Sequence, residues 1–133
     1  MIFAIGSYSC PLFRNSVKQL NKYLDSQKTQ SDIYFVYVKE AHPIKGSPYG
    51  EAHDNIELNK RENISIHQQK NIEDRISFAA KTMNDFKVNA DLLIDNENND
   101  FFHKVFSGPT GTLFFSSSGV LIGVKEIRGA PIK

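Results

Sequence analysis

Residues Ile2 to Ile5 form an unbroken apolar run that Gly6 ends, and a run of that kind predicts a buried strand entering a turn. From Pro11 the period changes. Phe13, Val17, Leu20 and Leu24 recur at helical spacing, while Arg14, Lys18, Gln19 and Lys22 fall mostly elsewhere, so an amphipathic helix is expected to begin at Cys10-Pro11. Proline suits the first helical position because its missing N–H would have been unpaired there. The segment DIYFVYV, Asp32 to Val38, is β-branched and aromatic without polar alternation, the pattern of a central parallel strand buried on both faces.

A polar stretch follows, roughly 39–69, with Gly46, Pro48 and Gly50 in it; its length marks it as an insertion. Ile72, Ile76, Ala79, Ala80, Met83 and Phe86 then repeat at helical spacing, Leu92 to Asp95 makes a short strand, and TLFFSSSGVLIGV predicts a hairpin turning near Ser118-Gly119. The order βαβ, αβ, β-hairpin places residues 1–133 in one α/β domain. Its sheet is expected to hold about four strands with flanking helices, and ligands of such domains bind outside the carboxyl ends of the parallel strands.

Composition narrows the partners. With 40% hydrophobic and 23% charged residues the chain is globular in type, and a formal net charge of +1 gives no bulk attraction to nucleic acid or an anionic membrane. No apolar run approaches the roughly 20 residues that span a bilayer, and the start of the chain lacks the marks of a signal peptide. A soluble, cytoplasmic protein is expected. The chain holds 1 cysteine, which excludes an internal disulfide and a CxxC pair, so thiol chemistry at Cys10 requires a second molecule.

Cys10 falls where the first strand gives way to a helix. A thiol at a helix N-terminus meets unpaired N–H groups and the positive end of the dipole, both favouring thiolate; against this, free cysteine is usually inert packing. Residue type alone leaves the two readings level. Glu40 and His42 lie just past the second strand, beside the end of the first, and a cysteine, a histidine and a carboxylate in one cleft can stabilise a thiolate, move a proton and orient the imidazole. Each also has a plainer reading: Glu40 as a solvated carboxylate, His42 as a turn residue held by Pro43, Tyr37 as core. His67 either folds back over the site with the insertion or caps the next helix. His53 and His103 match no motif, and a metal site ranks below a redox site because no candidate ligands are closely spaced.

Three ordered motifs, GSYSCPLF, VYVKEAHP and SPY…IHQQKNIEDRISFAAKTM, resemble those of the iodothyronine deiodinases and their bacterial deiodinase-like relatives, over most of residues 2–125. The resemblance implies a thioredoxin-like fold with Cys10 at the selenocysteine position and Ser7 and Ser9 as hydroxyl neighbours. Tyr37, Glu40 and His42 form a second cluster, His67 stands ahead of Glu73-Asp74-Arg75, and Pro109 is a cis proline beside the cysteine. It implies a one-cysteine thiol oxidoreductase that dehalogenates iodinated phenols, with no bound cofactor or metal and with an external thiol reductant. Cys10 is then a reactive, partly accessible thiolate near neutral pH, and replacing Glu40 or His42 lowers turnover with little loss of stability.

The chain departs from the family pattern in three places. Cysteine replaces selenocysteine, as in relatives that look like general thiol-dependent redox proteins; reduction of peroxides or disulfides, or a non-catalytic binding module, are the alternatives. IKGSPYG stands where the family has Asp-Gly-Trp. Few residues follow Val124, leaving little room for a covering helix; either a homodimer covers the sheet face carrying Phe114, Phe115 or Leu121, or the chain is part of something longer.

Overall fold

The computed structural model describes residues 1–126. Strand β1 (Ile2–Gly6) leads into helix α1 (Pro11–Gln27) and returns in parallel as β2 (Ile33–Tyr37). After the polar insertion, which contains a short 3-10 turn (Glu51–His53) and helix α2 (Glu57–Arg61), come α3 (Ile72–Phe86), β3 (Asp91–Ile94), α4 (Asp100–Lys104) and the hairpin β4 (Gly111–Phe115) and β5 (Leu121–Glu126). The sheet order is β3-β2-β1-β4-β5. β3 runs parallel to β2, while β4 is antiparallel to β1 and to β5. This mixed sheet with flanking helices is the thioredoxin-like fold. It has five strands, not about four, because both arms of the hairpin join the same sheet.

β1 lies at the centre, and its side chains serve two cores. On one face Ala4, Phe35 and Tyr37 pack with Phe13, Val17, Leu20 and Leu24 of α1 and Ala79 of α3. Phe13 stacks on Phe35 with ring centroids 5.2 Å apart. The helical period read from the sequence is therefore the period that packs. On the other face Ile5, Val36, Val38 and Leu113 meet Phe102 and Phe106. α4 is fixed there by the buried Asp95, whose carboxyl oxygens accept from the Phe101 and Phe102 N–H groups at 2.9 Å.

Three expectations change. In α3, Ile76 is 48% exposed and Ala80 is exposed, while Arg75, Ala79 and Thr82 are buried. The inward face is set partly by hydrogen bonding: Arg75 Nη1 donates to the Asp95 and Asn96 carbonyls at 3.1 and 2.7 Å, and Thr82 Oγ1 bonds back to Phe78. No peptide bond among the described residues is cis, so Pro109 is trans, the isomer favoured wherever nothing local forces the other. Phe114 and Phe115 are half-buried, Phe115 lying 5.0 Å from the Phe3 ring, whereas Leu121, Ile122 and Val124 of the edge strand are exposed. The covering helix thought to lack room concerns residues after 126, outside the described ones. Among the described residues no helix is long and apolar enough to cross a membrane.

Gly6 closes β1 against Phe13: a Cβ there would lie 2.5 Å from Phe13 Cδ2. Gly6→Ala is therefore expected to cost about 1–3 kcal/mol by overpacking, read as a lowered urea midpoint with an unchanged slope.

Candidate active site around Cys10

Gly6 ends β1, and the next three residues form a loop whose buried polar groups are satisfied from distant parts of the chain. The Ser7 and Ser9 hydroxyls, both on fully buried residues, accept from the Ala41 and His42 N–H groups at 3.2 and 3.0 Å. These two bonds tie the β1–α1 loop to the segment after β2. Cys10 is the N-cap of α1, with extended backbone at φ −82° and ψ 111°, and Pro11 takes the first helical position. The Cys10 N–H donates to the Ser7 carbonyl, and its own carbonyl accepts from Arg14 N–H.

Beneath the loop lies Glu40, 0% exposed. One carboxyl oxygen accepts from Ser9 N–H at 2.8 Å; the other accepts from the Tyr37 hydroxyl and from Gln69 Nε2. Gln68 pairs with the Glu40 backbone in both directions, accepting from its N–H at 2.6 Å and donating to its carbonyl at 3.0 Å. From α2, the fully buried Asn59 donates to the Ser9 carbonyl at 2.8 Å and accepts from Arg14 Nη2 at 2.7 Å. Arg14 also donates to the Tyr8 carbonyl and pairs with Glu62 at 2.8 Å. The insertion thus folds back over the carboxyl ends of β1 and β2 and holds the Cys10 loop from above.

Electrostatics at the thiol divide two ways. The N–H groups of Leu12 and Phe13 and the charge of Arg14 favour thiolate, as a helix N-terminus should. Burial outweighs them. Cys10 is 0% exposed, and desolvation, with a smaller contribution from the Glu40 charge, pushes its pKa up to about 11. The accessible thiolate expected at neutral pH is therefore not the state of this conformation, in which on the order of one thiol in ten thousand ionises at pH 7.

His42 is half-buried, which lowers its pKa and favours the neutral ring. Its Nδ1 lies 3.0 Å from the His53 carbonyl; a carbonyl only accepts, so Nδ1 carries the proton and the neutral ring keeps its lone pair on Nε2. Burial and the Glu40 charge raise the Tyr37 hydroxyl well above its ordinary range, keeping it a donor.

Of the residues singled out in the sequence, Ser7, Ser9, Tyr37, Glu40 and the His42 backbone come together around the Cys10 loop. The His67 side chain does not join them: it is exposed, its carbonyl accepts from Gln69, and Gln68 and Gln69 make the contacts with Glu40 instead. Arg75 does not bond to the Cys10 loop; it anchors the Asp95 and Asn96 carbonyls within electrostatic reach of Tyr37 and Glu40. Pro109 lies in the turn before β4, where Thr110 Oγ1 donates to the Ile5 carbonyl at 2.8 Å. Sequence reasoning missed Asn59, Gln68 and Gln69. They sit in a polar stretch where nothing in residue type separates a buried amide from a solvated one.

Glu40 cannot be separated from stability as first expected. Glu40→Ala strands the buried Ser9 N–H and Tyr37 hydroxyl and is expected to cost about 3 kcal/mol, with Glu40→Gln intermediate because one oxygen becomes a donor facing donors; chemical denaturation measures both. For Cys10 the folded pKa of about 11 exceeds the ordinary 9.0, so the unfolded chain releases its proton first. Stability should fall as pH rises from about 9 to about 11, and Cys10→Ser should reduce that slope, leaving the part contributed above about pH 10 by the buried tyrosines.

Comparison with known proteins agrees with this architecture. A model of the iodothyronine deiodinase family matches residues 1–108, a span that holds β1, the Cys10 loop, the Glu40 cluster, the insertion and both long helices. No curated protein matches the chain. The family match supports a deiodinase-like, oxidoreductase-type enzyme, and on its extent the chain belongs to the iodothyronine deiodinase family.

Proposed function

We propose that the chain is a thiol-dependent reductase of deiodinase type in which Cys10 is the nucleophile. The observation that carries this reading is the placement of the chain's single cysteine at the β1–α1 junction, inside the family match, on a loop held by hydrogen bonds with Glu40, Ala41, His42 and Asn59. His42, with a lone pair on Nε2, takes the thiol proton. The thiolate attacks iodine of an iodinated phenol, so that an S–I bond forms as the C–I bond breaks, and the proton passes to the ring carbon. One external thiol displaces iodide from sulfur and leaves a mixed disulfide; a second releases Cys10 as thiol and departs as the oxidised disulfide. Two thiols are oxidised for each iodine reduced to iodide, and no bound cofactor takes part. A peroxide or disulfide would be reduced by the same sulfur, through a sulfenic acid or directly through a mixed disulfide.

Complete burial of Cys10 favours a second reading, a binding module that keeps the motif for packing. Iodide release from an iodinated phenol, followed with and without dithiothreitol, separates the two. Continuous release is expected with the dithiol, at most one equivalent without it, and none from Cys10→Ser. His42→Ala should lose on the order of a hundredfold in rate while remaining folded. Undiminished release from Cys10→Ser overturns the proposal.

A further inference from the structure

The two faces of the sheet are not covered alike. On the face opposite α1 and α3, Phe102 and Phe106 cover the carboxyl half, where they meet Ile5, Val36 and Val38. Strand register defines what is left. Tyr34 pairs with Phe3, Phe3 with Leu113 and Leu113 with Val124, while Phe115 pairs with Leu121 in the next row; residues directly opposite share a face. The rings of Tyr34 and Phe115 lie 5.3 and 5.0 Å from that of Phe3. Tyr34, Phe3 and Phe115 are half-buried, and Leu121 and Val124 are 46% and 51% exposed, so an apolar strip crosses β2, β1, β4 and β5. Phe114, expected on this face, points instead to α1, where its ring lies 6.5 Å from Tyr23. Of the seven large apolar side chains exposed among the described residues, only Ile76 is on α3; the others belong to β5 and its turn, to β3 and to Val105 at the end of α4. A concentration of that kind marks an interface.

The shape of the face decides what can cover it. A strand-adding partner would use the free edge of β5, but the register shift at Phe114/Phe115 breaks that edge, and a bulge there blunts edge pairing. A flat partner, whether a membrane or a bare sheet, meets α4 first, because a helix with its side chains is about 10 Å thick and holds a plane that far from the strip. The occupant must carry a step of the same height. A second copy does so by symmetry: a twofold axis in the plane between two sheets seats α4 of each copy on the strip of the other, and both helices fill one layer. The groove at the foot of α4, about 480 Å³ and lined in part by Phe3, Leu93, Phe101 and Val105, carries the apolar surface up the side of the step. Strands about 4.8 Å apart and about 18 Å long give a five-stranded face on the order of 400 Å² in plane. With the step and groove added, the contact reaches the lower end of specific interfaces. A net charge of +1 sets no barrier to self-association.

We propose that this stepped face is the interface of a homodimer, in which α4 and Val105 of each copy lie on the strip from Tyr34 to Val124 of the other. The interface lies on the sheet face away from α1 and is independent of the chemistry at Cys10.

Sedimentation equilibrium of the full chain from about 1 to about 500 μM should show a monomer–dimer equilibrium with a micromolar dissociation constant, as an interface of this size implies. Leu121→Glu on the strip and Val105→Glu on the step alter side chains already exposed in the monomer. Each brings two carboxylates into a twofold contact and should raise the dissociation constant at least about tenfold. Ile76→Glu, the same change on an exposed residue of α3, should leave it unaltered. Circular dichroism on the same samples checks folding, and Leu93→Glu, at the foot of the groove, stands in for Val105→Glu should that variant not fold. A wild-type chain that stays monomeric over the whole range overturns the proposal. A dimer that survives the substitution on the step also overturns it: if Leu121→Glu alone breaks that dimer, the β5 edges pair, and if neither change does, the copies meet elsewhere.

Discussion

The buried carboxyl group of Glu40 is the interaction on which the rest of the site depends. It collects a backbone N–H from the Cys10 loop, a hydroxyl from the end of β2 and an amide from the close of the insertion, so three segments far apart in sequence meet on two oxygens. A buried group of this kind is costly unless every partner is present. That requirement makes the arrangement cooperative: the loop cannot leave without stranding Glu40, and Glu40 cannot leave without stranding Ser9 and Tyr37. The parallel pairing of β1 with β2 sets this up, since Gly6 opposite Tyr37 brings the two strand ends level.

At Cys10 two rules of protein electrostatics compete, and magnitudes decide between them. A helix N-terminus stabilises a nearby negative charge by roughly 0.3–1 kcal/mol when exposed and up to about 2 when partly buried. A net rise in pKa to about 11 from 9.0 means that burial, with a smaller push from the Glu40 charge, outweighs the favourable groups by about 3 kcal/mol. The balance would shift toward thiolate once water reached the sulfur, because the burial penalty would shrink while the N–H groups of Leu12 and Phe13 stayed in place. Reactivity at this thiol is therefore a property of access more than of the α1 terminus.

That competition also explains what could be read from the chain and what could not. Elements with a strong period were legible: Pro11 at the head of α1, the Phe13 to Leu24 stripe, the doubly buried β2 and the turn at Gly119, where φ is +82°. Placement of Ser7, Ser9, Tyr37 and Glu40 near one another followed from strand order plus family motifs. The failures share a cause. Arg75 faces inward, against the apolar pattern of α3, because the Asp95 and Asn96 carbonyls take its donors, and the buried Thr82 satisfies its hydroxyl on the Phe78 carbonyl of its own helix. Asn59 and Gln69 are buried amides in a polar stretch, and burial of Cys10 depends on how that stretch folds back. Periodicity reports which side of an element meets the core, and it is silent on which polar groups a non-periodic segment will cover.

The insertion therefore holds the site through two parts. Its later half, through Asn59, Gln68 and Gln69, is bonded to the Cys10 loop and to Glu40 by buried groups whose loss would leave polar atoms unpaired, a cost of about 1–3 kcal/mol for each. Its earlier half is bonded as well: Ser47 Oγ donates to the Ala41 carbonyl, Ser47 N–H donates to Asp54 and Gln68 Nε2 donates to the Gly46 carbonyl, while the Tyr49 ring adds edge contacts to His53 and Phe102 and a solvent-open hydrogen bond to Ser107. His42, bonded through Nδ1 to the His53 carbonyl and through its own N–H to Ser9, joins the earlier part to the Cys10 loop.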